Sequence, residues 1–194
     1  MKILLIGYPG SEKIRPITST LLDKYLPEFE YEYFSHTGDI DSWSKACRKK
    51  VEEIGDKNLI FTLDDYWINK PINKKRYEEA LSKLNGDINC VRLCGSERDG
   101  IQENYSVTAQ YCIWDKQTLL KILSQTTQPW DFEITGTKLY NRLGYKTYGF
   151  REPIIDYSDC SVMSSRHPGM VNVEGLVEDD IKLVLDYFNE DQLI

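Results

Sequence analysis

The sequence predicts an α/β fold in which a mostly parallel central sheet lies between two layers of helices. Three observations carry that expectation. Leu59 to Leu63 is apolar at nearly every position, the pattern of a central strand covered on both faces rather than one with a wet side. Lys2 to Ile6 reads as a second such strand at the start of the chain. Between and after these runs, segments of helical periodicity alternate with short strand-like segments, as in layered α/β architectures.

Taken in order, the first strand leads into Gly7-Tyr8-Pro9-Gly10-Ser11, a loop rich in turn residues. It lacks the Lys-Ser/Thr pair of a Walker loop and the spacing of a GxGxxG fingerprint, so it is a generic ligand-facing loop, with Tyr8 available as a stacking surface. Ile17, Leu21, Leu22 and Tyr25 mark a helix after Pro16, and Tyr31 to Ser35 a strand. A turn over 36–41 precedes a helix carrying Trp43, Ala46, Cys47, Val51 and Ile54 on one face. After the Leu59–Leu63 strand, Pro71 and Asn73 introduce a helix with Tyr77, Ala80, Leu81 and Leu84 at i, i+3, i+4 and i+7.

Ile88 to Cys94 alternates as a strand, with Val91 and Leu93 on one face and Arg92 on the more polar one. A polar loop, Gly95 to Gly100, is followed by an expected strand from Tyr105 to Ile113 and a helix opening at Trp114-Asp115. The segment Gln128-Pro129-Trp130-Asp131-Phe132-Glu133 starts a helix whose expected apolar positions are Ile134, Leu139 and Leu143. A short strand over 144–150, an irregular stretch through 166–169 and a terminal helix with Ile181, Val184, Leu185 and Phe188 complete the chain.

At 194 residues and 41% hydrophobic, the chain has room for one sizeable core and reads as a single domain. A formal net charge of −7 and the lack of any long Lys/Arg run disfavour nucleic-acid binding. No apolar stretch reaches the roughly 20 residues of a spanning helix, so no membrane span is expected, and a cytoplasmic location is. Five scattered cysteines read as reduced thiols.

The candidate site residues follow from position. Asp64 and Asp65 end a buried strand, where open α/β sheets gather their ligands. They either hold a charged or metal-bound ligand or cap the next turn, and unpaired carboxylates beside a buried strand are costly unless solvated, paired or metal-bound. Asp39 follows the second strand on the same expected edge; it is a ligand residue or a turn aspartate bonded to its own backbone. Arg92 pairs with an acidic site or a phosphate, or is a plain structural arginine. Asp131 and Glu133 sit among aromatics at a helix start, a setting for a general base or for ordinary capping.

With this order laid out, the chain resembles small GT-A-type glycosyltransferase-like proteins, the nucleotide-diphospho-sugar transferase-like group, over most of its length. The resemblance rests on Ser42-Trp43-Ser44, Leu63-Asp64-Asp65-Tyr66, Val91-Arg92-Leu93, Gln110 to Trp114, and Trp130-Asp131-Phe132-Glu133, in that order and spacing. It implies a single GT-A-like (Rossmann-like) three-layer sandwich over 1–194. In that reading about 1–67 form the nucleotide-sugar half, 68–163 the acceptor half, and 164–194 a C-terminal segment and helix.

The activity it implies is transfer of a sugar from a nucleotide-diphosphate donor to a glycan or other hydroxyl acceptor. The family's D-x-D motif holds Mn²⁺ or Mg²⁺, matched here by Asp64 and Asp65. Tyr8 and Asp39 match loops near base and ribose, Asp131 and Glu133 the segment that supplies the base, and His167 the late histidine of the metal shell in some relatives. One departure stands out: the third motif position is Tyr66. In an extended strand Asp64 and Asp65 point to opposite faces, so both grip one ion only across a local turn, and Asp65 is the sharper candidate. A non-catalytic carbohydrate- or partner-binding module of the same fold is the alternative. A nucleotidyltransferase is disfavoured, because no glycine- and lysine-rich phosphate loop follows the first strand.

Overall fold

The structure, a computed structural model, describes residues 1–84, 86–160 and 171–193. Its strands are β1 (Lys2–Gly7), β2 (Glu30–Ser35), β3 (Asn58–Leu63), β4 (Tyr66–Ile68), β5 (Cys90–Gly95), β6 (Gly100–Gln102), β7 (Cys112–Asp115), β8 (Thr147–Phe150) and β9 (Tyr157–Asp159). The helices are α1 (Arg15–Tyr25), α2 (Trp43–Glu53), α3 (Lys74–Lys83), α4 (Lys116–Leu123), α5 (Pro129–Arg142) and α6 (Glu178–Leu185). Seven strands form one sheet in the order β2-β1-β3-β7-β5-β8-β6, while β4 and β9 pair separately. Strands β1, β2, β3, β5 and β8 run one way; β7 and β6 run against them. The expected α/β sandwich with a mostly parallel sheet is the architecture found.

The two faces of β1 and β3 explain why their sequences are apolar throughout. Ile3, Leu5 and Ile60 pack into a core under α1, with Trp67, Val91 and Leu93. Leu4, Ile6, Leu59 and Phe61 turn to the other core, under α2, α4 and α5, with Trp43, Trp114 and Phe132. Alternate residues of a strand point to opposite faces, so a strand buried on both sides has no polar position to spare. Among the described residues no helix is long and apolar enough to cross a membrane.

Three expectations are corrected. Of the segment expected as a strand from Tyr105 to Ile113 only Cys112 and Ile113 are strand, and β7 runs on through Trp114 and Asp115, where the sequence predicts the helix to open. The preceding residues are buried from Ser106 to Ala109 but irregular, wedged between β3 and β5 with Leu63 N donating to the Ala109 carbonyl and Leu93 N to that of Tyr111. Helix α5 buries Phe132, Gly136 and Tyr140, whereas Ile134 and Leu143 are exposed. Gly136 lets α5 approach α4 closely: a Cβ there would stand 3.0 Å from Ile122 Cγ2. Helix α3 buries Ala80 alone, with Leu81 exposed.

Candidate active site

The acidic turn after β3 is fixed before any ligand is considered. Asp64 N donates to the Ile6 carbonyl, continuing the β1–β3 pairing, and Thr18 Oγ1 of α1 donates to the Asp64 carbonyl at 3.0 Å. Trp67 Nε1 in turn donates to Thr18 Oγ1, and Tyr111 Oη holds the Tyr66 carbonyl at 2.9 Å. Backbone bonds of this kind place two neighbouring carboxylates in different surroundings.

Asp64 is wholly buried and turns towards α1. Its Oδ2 accepts from Ser11 Oγ at 2.7 Å and lies 4.0 Å from Arg15 Nε, while Arg15 also donates to Ser35 Oγ. Burial raises its pKa to about 6, opposed by the Ser11 hydrogen bond and the Arg15 charge. Gly7 makes room for this cluster, because a Cβ there would stand 2.5 Å from Ser11 Oγ and closer still to Asp64 Oδ2.

Among the described residues the Asp65 carboxylate has no such partners. Its pKa is pushed up to about 7, first by burial and then by the charges of Asp159 on β9 and of Asp64. Tyr8, after β1, feels the same group: burial and then the Asp65 charge push its phenol upward. Tyr8 Oη, Asp64 Oδ1 and Asp65 Oδ1 are all shut off from solvent and have no hydrogen-bond partner among the described residues. Three orphaned oxygens on adjacent strand ends are an unbalanced cost in a folded protein without a ligand.

Beside them opens a cleft of about 500 Å³. Ile6, Gly7, Tyr8 and Pro9 supply one wall from the end of β1 and the loop after it; His36, Gly38 and Ile40 come from the turn after β2; Leu63 ends β3 and Tyr66 opens β4. Trp43, Ala109, Pro129, Trp130 and Glu133 close the other side. The floor is rigid, since Trp43 packs edge-on against Phe132 at 5.8 Å and Phe61 at 6.2 Å. Trp130 and Glu133 stand at i and i+3 on α5 and so share its cleft-facing side, with Trp130 65% exposed at the rim. Among the described residues no lysine or arginine lines the cleft.

Glu133 is held by the irregular segment described above. Its Oε1 accepts from Thr108 Oγ1 and from Ala109 N, both at 2.9 Å, and Oε2 has no partner among the described residues. The same Ala109 bonds through its carbonyl to Leu63 N, so the glutamate and the acidic turn are tied through one residue.

The other sequence candidates lie as follows. The Asp39 side chain accepts from Asp41 N at 3.1 Å, capping a short helical turn at the cleft edge. Asp131 accepts from Thr127 N at 2.8 Å and is not among the lining residues. Arg92 lies in a separate cavity, with its guanidinium donating to the Tyr105 carbonyl. His167 lies outside the described residues. Sequence reasoning passed over Asp159, His36, Trp130 and the Thr108-Ala109 pair. Trp130 and Glu133 carry a signal in their i, i+3 spacing, but Asp159 reaches Asp65 only through the pairing of two three-residue strands, too short for any periodicity.

No family model and no curated protein sequence matches the chain. Solved structures do. A cytidylyltransferase from Leptospira borgpetersenii serovar Hardjo-bovis superposes with a TM-score of 0.51 at 10% identity, over 95% of this chain and 93% of that one. A nucleotidyl transferase from Methanothermobacter gives 0.50 at 9%, over 77% and 86%. The A197 protein from STIV gives 0.51 at 12%, over 81% and 84%. At such identities the likeness is one of fold: the chain has the α/β fold of nucleotidyl transferases.

Proposed function

We propose that the cleft binds a nucleoside-diphosphate sugar and that the protein transfers its sugar to a hydroxyl acceptor. The observation that carries this reading is the cleft at the carboxyl ends of β1 and β3, where Glu133, aromatic walls and the orphaned Tyr8 hydroxyl meet beside the acidic turn, whose Asp64 and Asp65 are not themselves among the lining residues. An apolar, aromatic cleft suits a nucleobase and sugar rings, and Glu133 is anchored by one oxygen with the other left for a substrate hydroxyl.

A divalent cation fits the acidic turn. Carboxylate and phenol oxygens are hard ligands of the kind Mg²⁺ and Mn²⁺ take, and Asp65 Oδ1 has no other partner among the described residues. Among the described residues no three His, Cys, Asp or Glu side chains gather as a metal cluster, so Asp65 would hold the ion with diphosphate and water oxygens completing its shell. Bound there, a cation would neutralise the departing diphosphate, a task for which the cleft offers no lysine or arginine among the described residues.

The chain's own residues perform the rest. Glu133 Oε2 takes the proton of the acceptor hydroxyl as its oxygen forms a bond to the anomeric carbon. The bond from that carbon to the diphosphate breaks, and the nucleoside diphosphate leaves. Trp130 and Trp43 shield the reacting centre from water, and Asp64 keeps the β1 loop in place through Ser11.

A thermal-shift screen of UDP-, GDP-, dTDP- and CMP-linked sugars with and without Mn²⁺, followed by a product assay on the best donor, tests this. A ligand at about a hundred times its Kd stabilises the fold by about 2.7 kcal/mol. Stabilisation that needs Mn²⁺, with turnover lost in Glu133→Gln, is the expected result; a screen with no responding donor sinks the reading. The second reading, a binding module without catalysis, draws on the commitment of Asp64 and Asp131 to structural bonds. It predicts donor binding with no product.

A further inference from the structure

A second cavity, of about 190 Å³, lies on the edge of the sheet away from the cleft, between β5, β6 and the segment before Val107. Arg92 and Arg98 both line it, as do Glu97, Gln102, Glu103 and Tyr105. Arg92 comes from the middle of β5, and its guanidinium donates to the Tyr105 carbonyl while its Nε is shut off from solvent with no acceptor. A charged donor kept from water without a partner is costly, and a hydrogen bond to an oxyanion repays it. Neither arginine forms an ion pair among the described residues, although two carboxylates line the same space. The rim adds a further mark of a built site. Tyr105 is the one described non-glycine residue with positive φ, at 49°, and the residue is 61% exposed. Such backbone is disfavoured for a residue with a side chain and clusters at ligand sites.

We infer that this cavity binds a small ligand bearing a single oxyanion, a carboxylate or a phosphate monoester, with Arg92 and Arg98 as its donors. Glu97 and Glu103 set the ligand's charge. They bring the four ionised groups to zero net charge, so directional N–H donors rather than a broad positive field hold the anion, and a polyphosphate is repelled. The planar Arg92 fork matches a two-oxygen anion face on, and the exposed Tyr105 ring offers a surface for the group that carries it. The inference does not rest on the proposed sugar transfer, because the two cavities share no lining residue.

The test is a nuclear magnetic resonance titration that follows arginine Nε–H signals of the full chain at constant ionic strength, with inorganic phosphate, glucuronate, pyrophosphate and sodium chloride as probes. The Arg92 signal is assigned by its loss in Arg92→Lys. A saturable shift with phosphate or glucuronate is expected, and which of the two binds tells whether a phosphoryl or carboxyl ligand is meant. Arg98→Gln, at an exposed position, should weaken binding roughly tenfold, the loss of one charge-assisted bond. Pyrophosphate should bind more weakly than phosphate. The inference is overturned if neither anion gives a saturable shift, if chloride gives the same shift, or if Arg98→Gln binds as tightly as the parent. Should Arg92→Lys fail to fold, the Arg98→Gln comparison decides by itself. UDP-sugar binding to the first cleft, read from the rim tryptophan, should be unchanged in Arg98→Gln.

Discussion

Asp65→Asn should make the free protein more stable while removing its response to Mn²⁺. In the folded chain Asp65 has its pKa raised from 3.8 to about 7 by burial and by the charges of Asp159 and Asp64. A folded-state pKa above the unfolded one means that the folded chain holds its proton longer. The associated stability is complete below about pH 3.8 and is lost as pH rises towards 7. At about 1.4 kcal/mol per pH unit, the loss is on the order of 2 kcal/mol at pH 5 and on the order of 4 kcal/mol at pH 8. Asparagine has the same shape and no charge, so the variant escapes this loss. Its midpoint of thermal unfolding should rise by on the order of 10 °C at pH 8 and by about half of that at pH 5. Calorimetry across pH 4 to 8 measures the difference directly. Added Mn²⁺ should stabilise the parent and leave the variant unmoved. A variant no more stable than the parent at pH 8, with the same pH slope, would refute the claim that Asp65 stands as an unpaired buried charge, and with it the cation site.

Three further outcomes follow from the same geometry. Gly7→Ala should cost about 3 kcal/mol or more and abolish donor binding, because its Cβ collides with Ser11 and Asp64 behind the loop; chemical denaturation measures the first and thermal shift the second. Trp130 is exposed at the cleft rim while Trp43, Trp67 and Trp114 are buried, so donor binding should quench and blue-shift intrinsic fluorescence in the parent, and in Trp130→Phe the blue shift should be lost with only a weaker quench from Trp43 in the cleft wall. Asp180→Ala leaves Lys24 and the buried Tyr25 hydroxyl without the carboxylate that each contacts at 2.6 Å; a loss of about 2 to 3 kcal/mol in urea unfolding, with donor binding intact, is expected.

What could be read from the chain in advance depended on whether the signal was local. Strands β1 and β3 announce themselves because burial on both faces removes every polar residue, and α1 and α2 because their buried residues recur at helical spacing. The Tyr105–Ile113 segment misled for a physical reason. Burial demands apolar residues whatever the backbone shape, and here several backbone groups find side chains, while the Ala109 and Tyr111 carbonyls meet β3 and β5. Val107 N is held by Thr137, the Ser106 carbonyl by Thr147, and Ala109 N by Glu133. Alternation along Val107-Thr108-Ala109-Gln110-Tyr111 therefore imitated a strand. In α5 the true inner face is Phe132, Gly136 and Tyr140, and a glycine chosen for close approach carries no hydrophobic signal.

The same distinction explains the site. That Asp64 and Asp65 differ in role follows from the alternation of side chains at a strand end, but which of them lacks a partner depends on Ser11, Arg15 and Asp159, at sequence distances no local pattern spans. Glu133 gains its meaning in the same way. A glutamate in the second turn of a helix is unremarkable until the Thr108-Ala109 pair, 24 and 25 residues earlier, fixes one of its oxygens. The buried wedge that defeated the strand prediction is thus the piece that orients the base and, through the Ala109 carbonyl, joins it to the acidic turn. Local irregularity and site assembly are one event: a regular strand there would have spent on a neighbouring strand the backbone donor that Glu133 requires.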